Sequence, residues 1–384
     1  MINNVFITRV WKRLREKLNI GGAGLAISES FFRPRFLANF LFYAIQSRFR
    51  PQRPFYYPLT LMIEISGICN LFCDRCERSS VKNEVMGKST SIETIKKILP
   101  ILPYVYSVYL VGGYGEAFLN PNFWRIHSLL KKTGVIVGFF TNGVLLNKKN
   151  IDKIFREQTD SVLISIDSSK KDVYEQIRKG ANFEQVIRNI KRLVAEKKER
   201  KSKKPDIGLS FTFQKNTFAE MPKFLYFAKD LGVDFVSFAG MIAHKKKNII
   251  DSPFLIEEKK IKEVFDEVEE ISEQIGMPIR LPKPSIDYDR PCCPHLWRDM
   301  IVFYNGDVSP CPYFRINKEF YFFVENRHLV QTDKHVPALI VGNINNEPIT
   351  KIWRNDFYQQ LRKNLNKKSS RSPCDTCYFK YGVH

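Results

Sequence analysis

Cys69, Cys73 and Cys76, in the run ISGICNLFCDRCERSS, set three thiols three and then two residues apart. Thiolates so spaced can take three corners of an iron–sulfur cube, and such clusters are normally held by four cysteines. With no fourth cysteine nearby, one iron is left for an exogenous ligand, which makes it a place for chemistry. The alternatives are a zinc knuckle or three incidental buried thiols. Structural zinc usually wants four protein ligands, however, and incidental cysteines rarely cluster so tightly. The remaining cysteines are grouped too: the adjacent pair Cys292 and Cys293, Cys311 alone, and Cys374 with Cys377 in PCDTC. This is metal-site grouping, not the scatter of a secreted disulfide framework, and it points to a reducing, cytoplasmic compartment.

An apolar β-rich run leads straight into the triplet, and beyond it short β-rich runs alternate with helix-period segments. That is the pattern of βα units around a parallel sheet. We place strands at Leu59–Ser66, Tyr106–Val111, Val135–Thr141, Ser161–Ile166, Ile207–Phe213 and Val233–Phe238. Helices are expected near Ile92–Leu99, Phe123–Lys132, Lys149–Arg156, Phe183–Lys198 and Ala219–Leu231. The fold class is α/β, a partial (β/α)6 TIM-like barrel, in which catalytic groups belong at the C-terminal ends of the strands. A charged amphipathic helix follows at Ile256–Ile275, then Pro278, Pro282 and Pro284 mark a linker, and a small cysteine-bearing domain runs to the end. The expected divisions are residues 1–58 as a basic helical extension, 59–240 as the barrel, 241–290 as a helical linker and 291–384 as the small domain.

A chain of 384 residues, 44% of them hydrophobic, can bury a full core, and disorder is excluded. The longest apolar stretch, Phe36 to Ile45, is too short to span a bilayer, and no signal peptide is expected. The 61 Lys and Arg against 40 Asp and Glu give +21, which suggests an acidic partner or surface. Residues 1–58 hold ten basic and two acidic side chains. Within them Ile7, Trp11, Leu14 and Leu18 recur at helical spacing among Arg9, Lys12, Arg13, Arg15 and Lys17, before Gly21 and Gly22. Together with FFRPRFLANFLFYAI this basic amphipathic helix either packs on the barrel or lies on an anionic membrane face, peripheral at the inner surface. A second basic run, Lys191 to Lys204, reads as a solvated helix end that complements the dipole.

CxxxCxxC directly after an apolar strand resembles the radical S-adenosylmethionine (radical SAM) superfamily, where the amino and carboxylate groups of SAM complete the cluster. Further motifs carry the likeness. LVGGYGEAFLNP ends the second strand, and the resemblance implies that Gly112, Gly113, Gly115 and Glu116 meet the SAM amino group. TNG, from Thr141 to Gly143, ends the third strand, and SIDS the fourth. In the family these positions, here Asn142, Ser165 and Asp167, face the SAM ribose and carboxylate. VYEQIRKGANFEQVIRNIKRL resembles the family's fourth-helix region, with Arg178 as partner of the SAM carboxylate. Many relatives carry an aromatic residue just before the third cysteine, where this chain has Arg75.

Near the C-terminus, MIVFYNGDVSPC reads as a β-hairpin turned at Asn305 and Gly306, with Gly306 five residues ahead of Cys311. Together with VGNINNEPITKIWRNDFYQQLR and PCDTC it resembles the SPASM and twitch extensions that hold auxiliary [4Fe-4S] clusters. The count of cysteines fits the single-cluster twitch version, with Cys293, Cys311, Cys374 and Cys377 as four thiolate ligands. A four-cysteine zinc site is the alternative. Cys292 is read as a replacement ligand, a hydrogen-atom donor in catalysis or, in the plainest view, a buried thiol.

The resemblance implies that a reduced [4Fe-4S] cluster cleaves SAM to a 5'-deoxyadenosyl radical, which takes a substrate hydrogen inside a water-excluding barrel. The expected substrate is a peptide or a lipid-linked molecule; the alternative is a small carbohydrate or alcohol, as for some twitch-bearing dehydrogenases. From another class comes a non-catalytic metal-cluster protein binding nucleic acid through its basic regions, the weakest of the three. An acidic flavodoxin or ferredoxin as reductant would suit the basic surface.

Overall fold

In a computed structural model, the structure describes residues 33–80, 87–286, 293, 295–314, 318–325, 328–367, 374 and 377. The expected amphipathic helix around Ile7 to Leu18, and Cys292, lie outside them. The described residues begin with α1 (Pro34–Gln46) and enter the barrel at β1 (Thr60–Glu64). There follow α2 (Ile92–Ile98), β2 (Ser107–Val111), α3 (Phe123–Lys131), β3 (Ile136–Thr141), α4 (Lys148–Arg156) and β4 (Ser161–Ser165). Two helices come next, α5 (Lys171–Ile177) and α6 (Phe183–Glu199), and then β5 (Asp206–Phe213), α7 (Met221–Leu231) and β6 (Phe235–Gly240). Beyond the barrel lie α8 (Glu258–Ile275), β7 (Ile279–Arg280), α9 (His295–Arg298), β8 (Asp299–Val302) and β9 (Asp307–Ser309). The chain continues through β10 (Lys318–Glu325), β11 (His328–Val336), β12 (Gly342–Asn343), α10 (Ile349–Ile352) and α11 (Asp356–Lys367).

β1 to β6 pair in sequence order, all parallel, as the partial barrel requires. On one face of the sheet Leu61, Ile63, Val108, Leu110, Val137, Phe139, Val162 and Ile164 are all fully buried, while on the other Met62, Tyr109, Phe140 and Leu163 line cavities inside the barrel, so both faces are apolar. Helix starts follow local chemistry, with Ser91, Asn147 and Asn182 each accepting a hydrogen bond from the backbone N–H three residues on.

Three features depart from the reading above. The helix expected at Phe183–Lys198 is present as α6, but a further helix not expected, α5, precedes it, separated by RKGAN with Asn182 as the cap of α6. The proline-marked linker contains a strand, β7, that joins the sheet parallel to β6. β8, from the small domain, pairs parallel with β1 on its other side, Thr60 opposite Asp299, so one sheet runs β12-β9-β8-β1-β2-β3-β4-β5-β6-β7. The expected hairpin is present between β8 and β9, with Gly306 at φ +87° in its turn, a conformation glycine adopts at no steric cost. β10 and β11 form a separate antiparallel pair.

The small domain is stapled to the chain's first segments. Arg362 is buried with its guanidinium 4.3 Å from the Trp353 ring centre and 4.1 Å from that of Tyr358. It donates to the carbonyls of Leu296 and Trp353, both at 2.9 Å, so burial leaves its charge paired with backbone dipoles and aromatic faces. Trp353 Nε1 donates to the Tyr56 carbonyl at 2.7 Å, just before β1.

Candidate functional site

The cysteine triplet lies in the loop after β1, and that loop is gripped from several sides. Ile65 and Thr90 offer carbonyls to Asn120 Nδ2 at 2.7 and 3.0 Å, and Gly67 N–H donates to the Lys88 carbonyl. Phe72 N–H donates to the Lys179 carbonyl, and Arg78 to that of Leu71. The glycine loop after β2 approaches it backbone to backbone: Glu116 N–H donates to the Ile68 carbonyl at 2.7 Å. A Cβ on Gly115 would stand 2.4 Å from the carbonyl oxygens of both Ser66 and Ile68, so only glycine fits there.

A cavity of about 500 Å³ opens at the C-terminal ends of the strands. Its walls bring together Cys69, Cys73 and Cys76 with all the residues expected to hold SAM: Gly112, Gly113, Gly115, Glu116, Asn142, Ser165, Asp167 and Arg178. Among the described residues no three Cys, His, Asp or Glu side chains close on a single ion-sized point; the thiols stand around the wall of the cavity. Three thiols facing a space of this size suit a multi-iron cluster that carries a further ligand of its own. Burial pushes the Cys69 thiol up, and the Cys73 thiol up to about 11 against the opposing pull of Arg178, so cluster assembly must displace protons here.

Glu116 is almost fully buried and cross-braces the site. Its carboxylate accepts from Thr141 Oγ1 at 2.7 Å and from Asn142 N–H at 2.8 Å, which locks the end of β2 to that of β3. Burial raises its pKa, against those hydrogen bonds. Asn142 in turn donates Nδ2 to Asn70 Oδ1 at 2.9 Å, beside Cys69. Asp167 and Arg178 form an ion pair, Oδ2 to Nε 2.8 Å, while Asp167 Oδ1 accepts from Thr212 N–H at 3.0 Å. Burial opposes the arginine's charge, but Asp167 and Cys73 more than offset it and its pKa is raised.

Arg75 points to a different partner, Asp251, at 2.8 Å, and the neighbouring Asp74 takes Lys247 at 2.8 Å. The turn after β6 is thus clasped to the cysteine loop by two oppositely polarised pairs. The same end of the barrel supplies cavity residues that the motifs did not single out: Thr212 at the end of β5 and Gln214 just after it, Met241 and His244 after β6, with Met62 and Phe140 inside the barrel. Gln214 Oε1 is buried with no hydrogen-bond partner among the described residues. The rule that barrel sites sit at strand C-termini would have found β5 and β6 as readily as β2 to β4.

Cys293, Cys311, Cys374 and Cys377 line one small apolar cavity with Leu296, Phe314 and Leu339. Burial pushes the Cys293 thiol up to about 12 and the Cys311 thiol well above its ordinary value. Four thiols in one dry cavity are a complete donor set for a protein-ligated cluster.

Residues 63–239 match the family model of the radical SAM superfamily, and residues 292–378 that of the SPASM iron–sulfur cluster-binding domain. The tungsten-containing aldehyde ferredoxin oxidoreductase cofactor-modifying protein of Pyrococcus furiosus is 24% identical over 326 residues, 83% of this chain and 86% of the relative. Mycofactocin maturase MftC of Mycobacterium tuberculosis is 30% identical over 138 residues, 36% of this chain and 35% of the relative. SuiB of Streptococcus suis bound to S-adenosylmethionine has the same fold, with a TM-score of 0.60 at 14% identity over 98% of this chain and 82% of that one. SuiB has also been solved with its precursor peptide SuiA.

Proposed function

Because the chain belongs to the radical SAM superfamily and carries a SPASM domain, we propose that it abstracts hydrogen from a peptide substrate by means of SAM, with an auxiliary [4Fe-4S] cluster assisting. The family is one of enzymes whose domains bind a [4Fe-4S] cluster with SAM and, in the SPASM part, auxiliary iron–sulfur. When bound and reduced, the first cluster with SAM supplies a 5'-deoxyadenosyl radical. In this reading Cys69, Cys73 and Cys76 hold that cluster, and the Gly112–Glu116 loop, Asn142, Ser165 and the Asp167–Arg178 pair orient SAM. Cys293, Cys311, Cys374 and Cys377 hold the auxiliary one.

The observation that carries the proposal is the shared cavity, in which three thiols and every expected SAM contact face one space at the C-terminal ends of the strands. The barrel side chains Met62 and Phe140 line it from within and would keep water from the reacting carbon. Peptide as substrate class is supported by the fold shared with SuiB and the partial likeness to MftC. A basic surface of +21 favours an acidic flavodoxin or ferredoxin as electron donor, and a cytoplasmic setting follows from that partner.

The test is anaerobic reconstitution with iron and sulfide, reduction by dithionite and measurement of 5'-deoxyadenosine. Wild type should form it and Cys73→Ala should not; iron-loaded, SAM-bound protein that forms none, or a Cys73→Ala variant that is unimpaired, overturns the enzyme reading. Co-expression with a short peptide encoded beside the gene, followed by mass spectrometry, addresses the substrate: an unaltered peptide mass speaks against the peptide class alone.

A further inference from the structure

α1 is apolar on two faces. Phe36, Phe40 and Tyr43 are buried against the barrel, while Leu41, Phe42 and Ile45 are 61%, 49% and 62% exposed on the other side, at the i, i+1, i+4 spacing of one helical face. Phe49 and Phe55 continue the patch, 79% and 75% exposed, and Phe55 is drawn back to the helix end by its N–H donating to Gln46 Oε1 at 3.0 Å. Five of the eleven strongly exposed large apolar side chains among the described residues thus fall within fifteen positions. Soluble surfaces rarely concentrate apolar area this way without something to cover it.

Charge identifies the occupant. From residue 33 to residue 58 the chain has five arginines and no lysine, aspartate or glutamate. Arg33 is used internally, donating to the Leu102 carbonyl at 3.0 Å, and Arg50 lies over Trp297, but Arg35, Arg48 and Arg53 are exposed beside the apolar patch. An exposed apolar helix face flanked only by arginines matches a layer with an apolar interior and an anionic surface. No helix among the described residues is long and apolar enough to cross a membrane, so the contact is parallel to the surface.

We propose that this face docks the protein on an anionic phospholipid membrane. Leu41, Phe42, Ile45, Phe49 and Phe55 enter the interfacial zone, and Arg35, Arg48 and Arg53 meet headgroup phosphates. α1 is anchored under the N-terminal ends of the strands, where Asn39 Nδ2 donates to the carbonyls of Tyr57 and Tyr104, just before β1 and β2. Docking therefore presents the closed end of the barrel to the lipid and turns the cavity mouth away from it. The surface acts as a mooring, not as a route for lipid into the site.

The experiment is flotation of the full chain with vesicles of phosphatidylcholine alone and of phosphatidylcholine with phosphatidylglycerol, at low and high salt. Wild type should float with the anionic vesicles and be released by high salt. The variant Phe42→Ser/Ile45→Ser/Phe49→Ser should partition roughly tenfold or more weakly, and Arg48→Glu/Arg53→Glu likewise. All five positions are exposed, so matched melting curves are expected and confirm folding. No flotation of wild type, equal binding to neutral vesicles, or equal flotation of the variants overturns the proposal. So does a drop in solution mass of the triple variant by light scattering, which would make the face a contact between copies of the chain.

Discussion

Gly115→Ala tests whether the glycine loop and the cysteine loop are held at contact distance for a reason. The new Cβ would stand 2.4 Å from the carbonyl oxygens of Ser66 and Ile68, and both are backbone atoms that no rotamer change can move. Reaching an ordinary contact requires a separation of roughly 1 Å. That displacement strains or breaks the 2.7 Å hydrogen bond from Glu116 N–H to the Ile68 carbonyl, worth about 1 kcal/mol net. Overpacking against rigid neighbours adds about 1–3 kcal/mol, for a total of about 2–4 kcal/mol. Since Glu116 also braces Thr141 and Asn142, the shift spreads to the end of β3. A misplacement of this size costs roughly 100-fold in rate where reacting groups must be aligned. Anaerobic denaturant titration of the apo-protein and the initial rate of 5'-deoxyadenosine formation measure the two effects. A variant within about 0.5 kcal/mol of wild-type stability, and as fast as wild type, would show that the close approach has no bearing on the site.

Removing Arg178 as Arg178→Met leaves buried Asp167, among the described residues, with one remaining donor, Thr212 N–H, and should cost about 3 kcal/mol. Asp167→Asn should partly relieve that loss, so a double-mutant cycle by denaturation yields a coupling above about 1 kcal/mol, and additivity would refute the pairing. Iron analysis should give about eight irons per chain for wild type and about four for Cys311→Ala/Cys377→Ala, whereas four irons with zinc in wild type would defeat the auxiliary cluster. Burial, and then Asp234, push Asp206 up to about 7 from 3.8, so the folded chain holds a proton that the unfolded chain has already released. Stability attributable to this group therefore falls as pH rises from about 4 to about 7. Asp206→Asn should gain about 1–2 kcal/mol at pH 8, discounted for partial exposure, and little near pH 4, as read from denaturant midpoints.

The six barrel strands were legible because one face packs in the core and the other lines the barrel interior, which favours apolar, β-branched and aromatic runs, and the triplet and glycine loop because their chemistry allows few substitutes. The start of α6 at Phe183 was legible from Gly180 and the capping Asn182, whereas α5, only seven residues long, was not. The pairing of β8 with β1 joins residues more than two hundred positions apart, and β8 is only four residues long, so no periodicity announces it. Gln214 and His244 carry no motif; their place follows only from the strand ends that precede them. Arg75 looked like a missing aromatic, and its partner Asp251 is visible only once β6 and its following turn are set beside the cysteine loop.

The seam between β1 and β8 also fixes how the two thiol sets stand to each other. Because the strands run parallel with Thr60 opposite Asp299, Cys69 follows the upper end of one strand and Cys293 precedes the lower end of its neighbour. Five residues of strand lie between those levels, a separation on the order of 15 Å. The length of the seam thus sets the two thiol groups at its opposite ends. Leu296, Phe314 and Leu339 wall the lower set in a cavity separate from the one that Cys69, Cys73 and Cys76 line. Were a substrate at the cavity mouth to give up an electron, a cluster held by this lower set would be placed to take it through the barrel wall without touching the substrate.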